Sequence, residues 1–293
     1  MSTQADAGSA ALALAERFLE LEQYDRALGA IARADFEDPE AWALRARACL
    51  GLGRFDEAER AAQLGLERDP QHAFLLYLLA FARYRSGNLA GAEQAVLAAL
   101  ELDAEWTEAL CLYGELVASA GQFAKAERLL AEAERVDPES GAVLRLRHLL
   151  DTLQHKGERA VESARELVAR DPENAHAQLA LGYAERNRGD APGGLERMRT
   201  AAALDPALAT EHFEALVETR VQSHPLMLPM RGLQRAFGEH AQVVTWLIAV
   251  GGITLLGRAG GEIAGTLSIG WLAFCLYTWI TPPLLRRWLA RRR

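Results

Sequence analysis

Lysine is almost missing from this 293-residue chain: arginine supplies all but two (Lys125 and Lys156) of its 32 basic residues. With the abundance of Ala, Gly and Leu, that bias is associated with GC-rich bacterial genomes. Cysteine is scarce too. Cys49, Cys111 and Cys275 stand alone, without CxxC or Cys/His spacing, which excludes a disulfide framework and predicts reduced, buried thiols. The opening stretch, MSTQADAGSA, lacks the basic and apolar regions of an export signal, so the body is expected in the cytoplasm.

Catalytic motifs are missing as well. There is no HExxH and no GxSxG. His148 and His155, one heptad apart, have no acidic third ligand at a fitting spacing, so no metal is expected. GGEIAGTLS, from Gly260, has the glycine spacing of a phosphate loop but places Thr266 where lysine is required. No enzyme activity and no cofactor are expected.

Charge is present but unevenly placed. Residues 223–293 hold eight Arg against two Glu, whereas 1–222 hold 24 basic and 38 acidic residues, a formal −14. An acidic body excludes general nucleic-acid binding, which needs Lys and Arg against phosphate. Five of the last eight residues are arginine, so the basic end is a separate device.

The acidic body repeats. Asp-Pro or its equivalent recurs with the marked position at Pro39, Pro70, Ala104, Pro138, Pro172 and Pro206. After a slightly shorter first step the interval is constant, at about 34 residues. Between marks the apolar residues keep a helical period, broken once by a turn such as GLGRFDEA, RSGNLAGA or SAGQFAKA. Each unit therefore reads as two helices, which bury their apolar faces only by stacking on neighbours, as in a solenoid.

The register resembles the tetratricopeptide repeat (TPR) family over residues 8–206. The family's small second-helix residue matches Ala27, Ala58, Ala92, Ala126, Ala160 and Gly194. Its gap filler, one helical turn on, matches Ile31, Ala62, Val96, Leu130, Ala164 and Met198. The turn glycine matches Gly53, Gly87, Gly121 and Gly189 but is replaced by Glu22 and His155, which marks the fifth unit as a place for a local distortion. First-helix signatures survive at Trp42, Tyr113-Gly114 and Leu181-Gly182. The resemblance implies an all-α, right-handed solenoid of about six helix pairs, with 208–222 as a capping helix and 1–7 disordered.

It also implies a concave groove, lined by the first helices, for a protein or peptide partner. The groove positions Glu16, Glu20, Arg47, Tyr77, Phe81, Glu115, Leu149 and Tyr183 lack the cationic and amide pattern of a carboxylate clamp. In HAFLLYLLAFARYR, Phe74, Tyr77, Phe81 and Tyr84 share one helix face, opposite Leu76, Leu79 and Ala80. Two readings of that stripe stand open: an aromatic docking surface, or ordinary packing between repeats. The partner-binding residues expected are Phe74, Tyr77, Phe81, Tyr84 and Tyr183.

After a connector at 223–240, two uncharged runs follow, 241–257 and the longer 263–285. As helices they would reach about 25 and 35 Å, against a hydrocarbon core of about 30 Å. They predict a C-terminal transmembrane helical hairpin at 241–285 and a basic cytoplasmic tail at 286–293. Arg231, Arg235, Arg286 and Arg287 flank it on one side, with Arg291–Arg293 beyond, against Arg258 alone in the turn. The positive-inside bias then places both ends in the cytoplasm, at a bacterial inner membrane, with Trp279 and Trp288 at the interface. The expectation is a membrane-anchored TPR adaptor. The alternative is a membrane effector whose solenoid senses a signal or forms a homo-oligomer and whose hairpin perturbs the bilayer.

Overall fold

The recurring aspartates stand at the joins between helix pairs. Asp69, Asp103 and Asp137 stop the helix before them in an extended backbone. Their carboxylates, like those of Asp38 and Asp205, accept the backbone N–H two residues on at 2.9–3.1 Å. At Asp38 and Asp205 that N–H is a helix-start donor, and the proline beside it costs nothing because its missing N–H would have been unpaired. At Asp69, Asp103 and Asp137 the bond closes the turn ahead of the helix, whose caps are His72, Trp106 and Ser140.

The computed structural model describes residues 2–32, 38–227, 277 and 280–289; among these there is no strand. First helices are α1 (Ser2–Glu20), α3 (Pro39–Gly51), α5 (Ala73–Arg85), α7 (Thr107–Ser119), α9 (Gly141–Leu153) and α11 (Ala175–Asn187). Second helices are α2 (Tyr24–Ile31), α4 (Phe55–Arg68), α6 (Leu89–Leu102), α8 (Phe123–Val136), α10 (Gly157–Arg170) and α12 (Ala191–Leu204). α13 (Pro206–Glu211) and α14 (Phe213–Ser223) follow, then a 3-10 turn at Pro225–Met227 and helical residues 280–289.

The in-pair turn needs a left-handed residue at all six positions. Gly53, Gly87, Gly121 and Gly189 adopt φ of 70° to 95°, and Glu22 and His155 are forced to 55°. A side chain there costs about 1–2 kcal/mol, partly offset by the entropy a glycine loses on folding. Glu22→Gly and His155→Gly should each stabilise the protein by about 0.5–1 kcal/mol, read as a raised urea midpoint. Gly53→Ala should lower it by a similar amount.

The small second-helix residues mark the closest approaches. Ala27, Ala58, Ala92 and Ala126 are fully buried. In the sixth pair a methyl on Gly194 would stand 2.6 Å from the Gly182 carbonyl oxygen, so there α11 and α12 meet backbone to backbone.

The chain divides into two compact units, Met1–Gln154 and His155–Arg293. The division falls between α9 and α10, at the turn where His155 stands in place of glycine. The first unit's main core gathers Leu75, Val96, Leu110, Val143 and Leu146. In the second, one cluster holds Val161, Ala164 and Leu181, and another holds Leu179, Met198, Ala201 and Leu208.

Three boundaries differ from the sequence expectation. α1 is helical from Ser2 rather than from about residue 8, in keeping with its alanine content. The cap is two helices, broken at His212 (φ −102°, ψ 22°), whose ring is held by Tyr183. At the end of the second uncharged run, residue 277 and residues 280–289 are helical, with Pro282 and Pro283 in the latter stretch. The stretch read as a basic tail from 286 is helical through 289: Leu285 and Leu289 are buried with Val221 and Met227, and Arg286 pairs with Glu214. Residues 228–276, with both expected spans apart from 277 and 280–285, lie outside the described residues. No helix among the described residues is long and apolar enough to cross a membrane.

Candidate peptide-binding groove

α5 has two apolar faces. Leu75, Leu78, Leu79, Ala80 and Ala82 are buried in the core, while Leu76, assigned to that face from sequence, is half-exposed. Phe74, Tyr77, Phe81 and Tyr84 are all half-buried: they pack against the core from one side and stay open on the other. Tyr77 stands at the centre, its ring centroid 6.3 Å from Phe74, 6.4 Å from Phe81 and 5.0 Å from Trp106. Arg85 lies over the rings of Phe55 and Phe81 at 4.8 and 5.9 Å. The stripe thus packs on the core and keeps an open side, which leaves the docking reading available to it.

Beside it is a cavity of about 320 Å³ lined by Leu19, Tyr24, Arg47, Leu50, Gly51, Tyr77 and Phe81. α1, α2, α3 and α5 each contribute to its wall. Gly51 is required for this arrangement, because a Cβ there would strike the Tyr24 ring. Arg47 is the one charged group in the lining and makes no ion pair among the described residues. A cavity with three aromatic rings and one cation suits a bulky apolar side chain with a carboxylate or backbone carbonyl nearby.

Burial sets the electrostatics. It pushes the Tyr77 phenol up to about 12, so the hydroxyl is neutral over the working range. It raises Tyr24 and Tyr84 in the same sense, with Ser119 opposing the shift at Tyr84. Cys111, close to Tyr77, is likewise pushed to about 12 by burial, which makes it an inert thiol. Glu115 is raised by desolvation, with Arg145 and Arg85 opposing the shift. A carboxyl raised on folding contributes stability below its unfolded value of 4.5 and loses it as pH rises through the folded value. Glu115→Gln should therefore be more stable than the parent at neutral pH, and the gap should close as urea midpoints are followed down through pH 4.5.

Of the five partner-binding residues expected from sequence, Tyr77 and Phe81 line the cavity, and Phe74 and Tyr84 lie outside its lining on the same face of α5. Tyr183 belongs to the second unit. Its hydroxyl is 3.0 Å from His212 Nδ1 and Arg186 covers its ring at 4.9 Å, so its contacts are local. Of the membrane-interface residues, Arg231, Arg235 and Trp279 lie outside the described residues; Arg286 is paired with Glu214, and Arg287 and Trp288 are exposed. Sequence reasoning missed Tyr24, Trp106 and Gly51. Trp106 was legible as an aromatic at the start of α7, and Gly51 as a small residue at the end of α3; Tyr24 had no comparable signal.

Residues 39–82 and 154–209 match tetratricopeptide repeat family models. Among solved structures, the chain is similar to a thermophilic TPR protein of Thermus thermophilus (20% identity, TM-score 0.55), covering 61% of this chain and 99% of that one. It is also similar to pilF of Pseudomonas aeruginosa (17%, TM-score 0.51), covering 73% of this chain and 99% of that one. A tetratricopeptide repeat protein of Parabacteroides merdae is similar at 12% identity and a TM-score of 0.50, covering 74% and 90%. No curated protein matches the chain. The fold is an all-α TPR solenoid, a fold whose members generally mediate protein–protein interactions as scaffolds.

Proposed function

We propose that this protein is a membrane-anchored adaptor, which holds a peptide segment of a partner protein in the groove of its first unit and performs no chemistry. The observation that carries the reading is the cavity between Tyr24, Arg47, Tyr77 and Phe81, an aromatic site with a cation that no carboxylate of the described residues neutralises. The anchor is the hairpin over the two uncharged runs, outside the described residues. In its support, Met227 and Leu285 share one cluster, so the intervening chain leaves and returns at the same place, as an even number of crossings requires. The excess of arginine on both flanks favours a solenoid and C-terminus on the cytoplasmic side of a bacterial inner membrane.

The test uses the full chain in detergent, panned against a random displayed peptide library beside a Tyr77→Ala/Phe81→Ala variant. Enrichment of peptides with a bulky apolar residue on the parent alone supports the groove. Equal enrichment on both proteins overturns it. Carbonate extraction of expressing membranes tests the anchor separately.

A further inference from the structure

Helix 280–289 is fixed to the solenoid on one side and apolar on another. Leu285 and Leu289 bury against Val221 and Met227, and the Arg286 guanidinium is held by Glu214. A quarter-turn round the helix, Ile280, Leu284 and Trp288 follow one another at four-residue spacing and are 49%, 58% and 45% exposed. Exposed Arg287 borders this stripe on the edge away from α14, and Arg291, Arg292 and Arg293 follow in the sequence.

We infer that this helix lies in the plane of an anionic lipid surface, with Ile280, Leu284 and Trp288 in the interface and Arg287 among the headgroups. It thereby fixes the orientation of the second unit on the bilayer. The inference rests on the membrane reading above and adds the contact face and its lipid chemistry. An apolar stripe bordered by arginine, with tryptophan in it, has the composition of interfacial helices. Charge complementarity selects the occupant: each arginine near an anionic leaflet is favourable, whereas two copies packed stripe to stripe would bring their basic edges together. The acidic remainder of the chain is repelled by the same surface, so this helix is the part that approaches it.

The experiment places an environment-sensitive fluorophore at Leu284→Cys in the full chain with Cys275→Ser. A second label at Glu173→Cys, an exposed loop residue of the same unit, is the aqueous control. Both proteins are reconstituted in phosphatidylcholine vesicles with and without phosphatidylglycerol. The label at 284 should shift to the blue and be quenched by shallow spin-labelled lipid, more strongly with phosphatidylglycerol, while the label at 173 answers to iodide. Arg287→Ala should move the docked fraction at 284 by about fivefold in equilibrium. Iodide quenching at 284 equal to that at 173 in vesicle-bound protein overturns the inference and leaves the anchor standing. Protection that follows protein density at fixed lipid assigns the stripe to a second copy and also overturns it. If carbonate releases the protein, the anchor reading fails; the label at 284, read after adding the vesicles from outside, then decides the helix by itself.

Discussion

Truncating Leu146 to alanine should lower the stability of the first unit by about 2–5 kcal/mol, the cost of lost transfer energy plus a partly uncollapsed void. Leu146 sits on α9 with no exposed surface, in the main cluster of that unit. Its isobutyl group occupies the place a side chain at Gly114 on α7 would fill: a Cβ there would lie 2.5 Å from one methyl and 3.2 Å from the other. Gly114→Ala should accordingly destabilise. Overpacking of a set core costs about 1–3 kcal/mol, against about 1 kcal/mol gained in helix propensity. The two changes answer one another, because the alanine methyl at 114 enters space that Leu146→Ala vacates. The double variant should be less destabilised than the sum of the singles by about 0.5–3 kcal/mol. Urea unfolding of the full chain in detergent, with amide exchange read on α7 and α9, measures each corner of the cycle. Strict additivity would show that Gly114 and Leu146 do not share the site.

The same pair shows what the sequence made legible. Gly114 was picked out by register alone, beside Tyr113, in the first-helix signature of its repeat. The constant period carries the helix pairs, the small contact residues and the left-handed turn, because each is a local demand repeated in every unit. The register even locates Glu22 and His155 as side chains in a glycine's conformation. The groove was half legible. Four-residue spacing places Tyr77 and Phe81 on one face, but the cavity is closed by Tyr24 and Gly51 from earlier helices, a juxtaposition that no single-helix period encodes. At the far end, hydropathy ran Leu285 into a membrane span. An apolar side chain counts equally whether lipid or Val221 covers it, so composition cannot tell a span from a helix docked on protein.

Alanine at Tyr77 should weaken the binding of groove-selected peptides by about 30-fold or more, equivalent to about 2 kcal/mol. Tyr77 touches three other rings and the cavity at once, the central, partly desolvated position at which aromatic residues contribute most to an interface. Its removal also takes away support from Trp106, so some loss of stability accompanies the loss of binding. Two further variants separate these effects. Tyr77→Phe keeps the ring contacts and gives up a hydroxyl that is neutral at working pH, so stability should be held; any loss of affinity then reports a hydrogen bond to the peptide. Arg47→Ala removes the cavity's one cation, which has no carboxylate partner among the described residues, so melting should not move while affinity for peptides with an acidic group should fall. Fluorescence anisotropy of the selected peptides, with thermal melting of each variant, reads both quantities. A Tyr77→Ala protein that unfolds, together with an Arg47→Ala protein that binds as the parent does, would make the stripe a piece of core and leave the groove without a ligand. Loss of binding in both, with Arg47→Ala folded as the parent is, makes Tyr77 and Arg47 two ends of one recognition site.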